Sequence, residues 1–129
     1  MIRELHEQLK AGSLSAVELA ERYFGTIESK EPEIQAFLNL RKEAALREAA
    51  TVDKKIMSGE PIDLLAGIPG AIKDNICMAG ERATAGSKIL DNYIAPYDAT
   101  VIRSLRATDA VIVGKTNMDE FAMGSSTET

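Results

Sequence analysis

The sequence predicts an α/β fold in which a helical N-terminal part leads into alternating helices and strands. Three observations carry this. Apolar residues in the first sixty positions recur at the three-to-four spacing of helices facing a core. Val111-Ile-Val-Gly114 is a short β-branched run, the clearest strand of the chain. After Leu64, helix-like and strand-like stretches alternate, the order expected of an α/β domain.

Ile2, Leu5 and Leu9 predict a first helix, which Gly12 stops. Ser15-Ala-Val-Glu18 fits a capping box, where serine and glutamate satisfy each other's free backbone N–H groups. The helix it opens carries Val17, Ala20, Phe24 and Ile27 on one face, and Pro32 marks its expected end. Ala36–Leu40 reads as a short strand. Residues 41–57 are rich in Ala, Glu, Arg and Lys and predict a helix with Ala45, Ala49, Val52 and Ile56 on one face. Gly59 is its expected cap, and Pro61 begins a loop.

The apolar stretch Leu64-Leu-Ala-Gly-Ile-Pro-Gly-Ala-Ile72 predicts a turn and then a buried strand around Ala71–Lys73. Asp98 is the expected N-cap of a helix packing Val101, Ile102 and Leu105 inward. After the strand at 111–114, Lys115-Thr-Asn117 turns into a short helix opened by the acidic pair Asp119 and Glu120. The chain reads as one domain over 1–129, mainly helical over 1–60 and α/β over 61–129.

Composition narrows the function classes. Of 129 residues, 45% are hydrophobic and 27% charged, a globular balance rather than a disordered one. The net charge of -5 makes the segment a poor grip for phosphate backbones, so any RNA must be held elsewhere. A single cysteine, Cys77, excludes an internal disulfide, and without a Cys/His cluster no metal site is expected. Charges interrupt the N-terminal apolar residues, which argues against a signal peptide, and a cytoplasmic location is the expectation.

The residue inventory restricts the chemistry further. The one histidine, His6, lies among polar residues on the first helix, a solvated position rather than a member of a Ser-His-Asp site. Cys77 lacks an evident activating base and reads as a packed thiol. Lys73 is the unusual residue. It ends the run Gly67-Ile-Pro-Gly-Ala-Ile72 and precedes Asp74-Asn75. An ammonium in apolar surroundings loses hydration, which favours the neutral amine and suits it to act as a general base. The competing reading, favoured when the residues alone are weighed, is a lysine that reaches solvent or pairs with Asp74.

Gly124-Ser125-Ser126-Thr127 offers two hydroxyls for nucleophilic or binding roles, though turns of small polar residues are commoner. Gly114-Lys115-Thr116 resembles part of a phosphate-binding loop. Walker A, however, requires glycine where Asp109 stands, and a carboxylate there would face the phosphates.

Taken together, these segments resemble the amidase-signature family. Gly67-Ile-Pro-Gly-Ala-Ile-Lys-Asp-Asn-Ile76 resembles the segment that carries its catalytic lysine. Ser87-Lys-Ile-Leu90, Asp98-Ala-Thr-Val101 and Gly114-Lys-Thr-Asn-Met-Asp-Glu-Phe-Ala-Met-Gly-Ser-Ser-Thr-Glu128 are similar to the A-subunit branch, which serves tRNA-dependent amidotransferases acting on Glu-tRNA(Gln) or Asp-tRNA(Asn). Two positions depart from that pattern. Thr108-Asp109 stands where the family usually has Ala-Gly, and Thr129 where that branch usually has asparagine.

The resemblance implies an incomplete domain, the N-terminal part of an amidase-signature mixed sheet flanked by helices. It implies a Ser-cis-Ser-Lys triad in which a neutral lysine, here Lys73, accepts a proton through a bridging serine. The nucleophilic serine attacks an amide carbonyl, ammonia leaves, and water hydrolyses the acyl-enzyme. Both triad serines belong to a Gly-Gly-Ser-Ser-Gly-Gly stretch and its continuation, which this sequence does not contain. Ser125 and Ser126, with Met123 and Gly124, are instead expected to line or support the substrate pocket.

The expected reaction is glutamine hydrolysis, with the ammonia passed to misacylated Glu-tRNA(Gln). The expected partners are a B subunit that holds the tRNA and uses ATP and Mg to phosphorylate it, and a small C subunit; no cofactor is expected in this chain. A stand-alone amidase of small amides and a non-catalytic interaction fragment are the alternative readings. On this view the 129 residues form a fragment inactive alone.

Overall fold

A computed structural model describes residues 1–127. Helix α1 spans Ile2–Lys10, α2 Ala16–Ile34, α3 Lys42–Met57 and α4 Thr100–Ala107. Strands β1 (Phe37–Leu40), β2 (Pro69–Lys73) and β3 (Val111–Thr116) form one sheet in the order β1-β3-β2. β1 runs antiparallel to β3 and β2 parallel to it, so the sheet is mixed. Short 3₁₀ turns lie at Lys88–Leu90 and Glu120–Ala122.

Alternation along β3 sends side chains to both faces of the sheet. Val111 and Val113 join a cluster with Leu9 of α1, Leu19, Ala20 and Phe24 of α2, and Ala45, Ala49 and Val52 of α3. Ile112 points the other way, with Ile72, Met78 and Ile102, and Leu105 of α4 packs against them. The sheet thus has helices on both faces, and the helical first part is tied to it through β1.

Several elements differ from the sequence expectation, each for a local reason. α2 continues two residues past Pro32, to Ile34. A proline in the last turn forfeits one backbone bond, and the helix ends where Gln35 turns left-handed (φ 53°). The capping box is only half formed. Ser15 accepts from the Glu18 N–H at 3.0 Å, but the Glu18 carboxylate pairs with Arg22. The second cap comes from α3, where Asp53 accepts from the N–H groups of Ala16 and Val17 at 2.7 and 3.1 Å.

Ala99, not Asp98, is the N-cap of α4. The Asp98 carboxylate accepts from the Ala79 N–H and pairs with Arg106. Ile102 packs inward as expected and Leu105 partly does, but Val101 is exposed. β2 begins at Pro69 rather than Ala71, and β3 runs on to Thr116. Gly114 is required where β1 meets β3, because a Cβ there would lie 2.5 Å from the Asn39 carbonyl oxygen.

Candidate active site

Lys73 is the last residue of β2 and is paired in register with Thr116 of β3. β2 forms because Ile72 has a buried seat beneath it. It can start with Pro69 because its outer edge is unpaired among the described residues. Successive strand residues face opposite sides, so with Ile72 turned inward Lys73 emerges exposed, and Asp74, in the turn that follows, is buried at 1% exposure. The apolar run leads up to Lys73 without enclosing it. The desolvation that the run suggested is therefore not supplied by the described residues.

Asp74 does not pair with Lys73. Its Oδ1 accepts from Lys115 Nζ at 2.9 Å, and both side chains are essentially inaccessible. Lys115 Nζ also donates to the Arg82 carbonyl at 2.9 Å. Asp74 Oδ2 accepts from the Thr84 N–H at 2.8 Å and the Thr84 hydroxyl at 2.5 Å. Removing two opposite charges from water is tolerated only when geometry and supporting hydrogen bonds compensate, as they do here. Lys115 is engaged inside the fold, whereas Lys73 is presented outward.

The strip 82–87 links this pair to the last described segment. The Phe121 N–H donates to the Ala85 carbonyl at 2.9 Å, and the Ser87 hydroxyl donates to Glu120 at 2.6 Å. Asp119, expected as a helix opener, stands at the N-cap position without a side-chain cap bond. Its Oδ1 instead receives the Thr127 N–H at 2.7 Å, and its side chain fills the space a Cβ on Gly124 would need. Asp119 thereby shapes the Gly124–Thr127 turn.

Met123, Gly124, Ser125 and Ser126 are all exposed on that segment. A cleft of about 410 Å³ is lined by Ser126 and Thr127 with Ile34, Gln35, Ala36, Thr116 and Asn117. The cleft shares Thr116 with Lys73 through the β2–β3 register, but Lys73, Met123, Gly124 and Ser125 do not form its walls. Glu128 and Thr129 lie outside the described residues, and with them the second departure from the family pattern.

The excluded groups fall as follows. His6 sits half-buried on α1 with Nδ1 shielded and unpaired among the described residues, less solvated than its polar neighbours implied. Cys77 is half-buried, and a hydrogen bond between its thiol and the Tyr97 hydroxyl holds the Tyr97 phenol above its ordinary pKa. No metal-ligand cluster occurs among the described residues. Sequence reasoning did not anticipate the buried set of Asp74, Lys115 and Thr84 beside Lys73. The available signal was Lys115 itself, a charge continuing an otherwise apolar strand.

Comparison with known proteins places this arrangement. The family profile described as Amidase matches residues 18–129. The A subunit of the glutamyl-tRNA(Gln) amidotransferase of Carboxydothermus hydrogenoformans is 55% identical over 98% of the chain, and that of Microcystis aeruginosa 52% identical over 98%. The chain spans about a quarter of their length, 26% in each case. Among solved structures, the native peptide amidase of Stenotrophomonas maltophilia superposes with a TM-score of 0.86 at 35% identity, over 93% of this chain and 25% of that one. A chain from a vestigial protein complex tied to the origins of an s-triazine catabolic enzyme gives 0.88 at 36% identity, over 92% and 26%. With the lysine-bearing strand, the mixed sheet and these matches in agreement, the chain belongs to the amidase family.

Proposed function

We propose that this chain is the lysine-bearing part of a glutamine amidase that supplies ammonia to a tRNA-dependent amidotransferase. The observation that carries the reading is Lys73, exposed at the end of a strand whose backbone is fixed on a buried ion pair, within a sequence 55% identical to the A component of an amidotransferase. Lys73, as the neutral amine, takes the proton that a bridging serine passes from the nucleophilic serine. The nucleophile attacks the glutamine carboxamide, ammonia departs, and water releases glutamate from the acyl-enzyme. Both serines come from sequence outside these 129 residues, and Ser125 and Ser126 support the pocket. A B subunit holds the misacylated tRNA and consumes ATP, and a C subunit braces the pair.

In the complete enzyme, Lys73→Ala should abolish glutamine hydrolysis and leave assembly of the complex intact. Lys73→Arg should be equally inactive, because a guanidinium stays protonated and cannot accept the proton. Ammonia release at the wild-type rate by either variant rules out this assignment. A stand-alone amidase of small amides is the second reading, supported by the likeness to the peptide amidase structure. Copurification with a B subunit decides between the two.

A further inference from the structure

We propose that Asp74, held by Thr84 and Lys115, is the positioning residue that aims Lys73. The inference rests on the reading of Lys73 as the catalytic base. The backbone of Asp74 is held on both sides of its Cα. The Asp74 N–H donates to the Thr116 carbonyl at 3.2 Å, and the Asp74 carbonyl accepts from the Ala85 N–H at 3.3 Å. Its carboxylate takes three more bonds, from Lys115 Nζ, the Thr84 N–H and the Thr84 hydroxyl. The Thr84 hydroxyl is itself oriented by the Gly86 N–H at 3.2 Å. Every polar atom of Asp74 is thus engaged, inside a pocket where Lys115 is 0% and Asp74 1% exposed.

Stability alone does not account for this pair. Well-packed apolar side chains of similar volume often hold a buried position as well as an ion pair does. What the hydrogen bonds add to the apolar seat of Ile72 is direction, because each holds its donor and acceptor near one line. Asp74 opens the turn that follows β2, so anchoring its carboxylate and backbone inward constrains the strand end from which Lys73 leaves the sheet. A base working through a bridging serine needs that constraint, since small misplacements of a reacting group cost large rate factors.

The test uses the complete amidotransferase and glutamine hydrolysis, with kcat, KM, the pH profile of kcat and thermal unfolding measured for Thr84→Val, Thr84→Ser, Asp74→Asn and Lys73→Ala. Thr84→Val should lower kcat about tenfold and Asp74→Asn about a hundredfold, with KM within about twofold, the scale of a misplaced catalytic group. The pH profile of kcat should shift in both, and Thr84→Ser, which keeps the hydroxyl, should restore wild-type kcat. Thr84→Val is the decisive variant if Asp74→Asn does not fold, because it removes one hydroxyl and no charge.

The inference is overturned if folded Thr84→Val keeps wild-type kcat and pH profile. It is equally overturned if activity falls only in proportion to the folded fraction, the mark of a purely structural role. Lys73→Ala separates the two levels. An active Lys73→Ala enzyme removes the base assignment and this inference with it. An inactive Lys73→Ala enzyme beside fully active, folded Thr84→Val and Asp74→Asn enzymes removes this inference alone.

Discussion

Asp109 occupies a left-handed backbone position, φ 55°, between α4 and β3. The departure from the family's Ala-Gly therefore falls where glycine is conformationally at ease. Aspartate is tolerated there because its backbone strain is smaller than that of most residues and its carboxylate pairs with Lys55 at 2.6 Å. The hydrogen bond to Asp109 is the largest cause holding the Lys55 pKa above its ordinary value of 10.5. The stabilisation from this pair is fully present below that value and is lost as pH rises through the higher folded value. Asp109→Gly should raise stability in urea denaturation by about 1 kcal/mol, and Asp109→Ala should lower it. The glycine gain should grow as pH rises from 10.5 through that higher folded value, beyond which the lost ion pair no longer counts against it. The reverse order, alanine above glycine, would show that backbone strain is not what governs this position. A second residue-level test is optical. The Tyr97 phenolate absorbance should titrate above pH 10.0, and Cys77→Ala should bring its midpoint back down. Lys73 stood out at this scale because a charge ends an apolar run, although the residues alone favoured a lysine that reaches solvent or pairs with Asp74. The partner of Asp74 did not stand out, because Lys115 lies 41 positions away and only the β2–β3 register brings them together.

Among the elements, what the sequence discloses is mostly the apolar stripe, and what it hides is who caps whom. The faces Ala20–Phe24 of α2 and Ala45–Ala49–Val52 of α3 are buried as their spacing demands. The N-terminus of α2, however, is completed by Asp53 from a different helix, a pairing that no local pattern records. Asp53→Ala should cost about 1–2 kcal/mol in chemical denaturation, the range for a lost cap, with an added effect from losing negative charge at a helix N-terminus. An unchanged midpoint would mean that water satisfies those N–H groups equally well. Arg41 is a second concealed tie. It precedes α3, is 8% exposed, and donates to Glu81, to Glu48 and to the Ile112 carbonyl, while Glu48 also accepts the Ile112 N–H. One guanidinium thereby fastens α3 to β3. Lysine has neither the planar fork nor enough donors in the right directions to reproduce these bonds. Arg41→Lys should therefore destabilise by about 2–3 kcal/mol, the scale for leaving hydrogen-bonded buried groups unpaired. Equal stability of the lysine variant would show that the fork geometry is immaterial.

On the scale of the whole molecule, the sheet is short and its surroundings unevenly finished. β3 has neighbours on both sides and is the central strand of the sheet. The outer edges belong to β1 and β2, and neither is paired further among the described residues. Leu38 and Leu40 of β1 are exposed, as are Ile89, Ile94, Tyr97, Phe121 and Met123 of the loops. Open strand edges and apolar side chains in water are the two ordinary causes of self-association. The chain also carries Lys73 without the Gly-Gly-Ser-Ser-Gly-Gly stretch and continuation expected to supply its serines, and a catalytic unit stripped of its nucleophile does not retain graded activity. The purified 129-residue polypeptide should therefore release no ammonia from glutamine above a Lys73→Ala control at any pH. In sedimentation velocity it should shift to larger species as concentration rises, and its thermal transition should be broad. Lys73-dependent turnover would show that the chemistry needs fewer groups than a serine-linked triad. A concentration-independent monomer with a sharp, cooperative transition would show instead that the two apolar clusters on the faces of this sheet suffice for an autonomous domain, and that the exposed β1 residues belong to an ordinary surface.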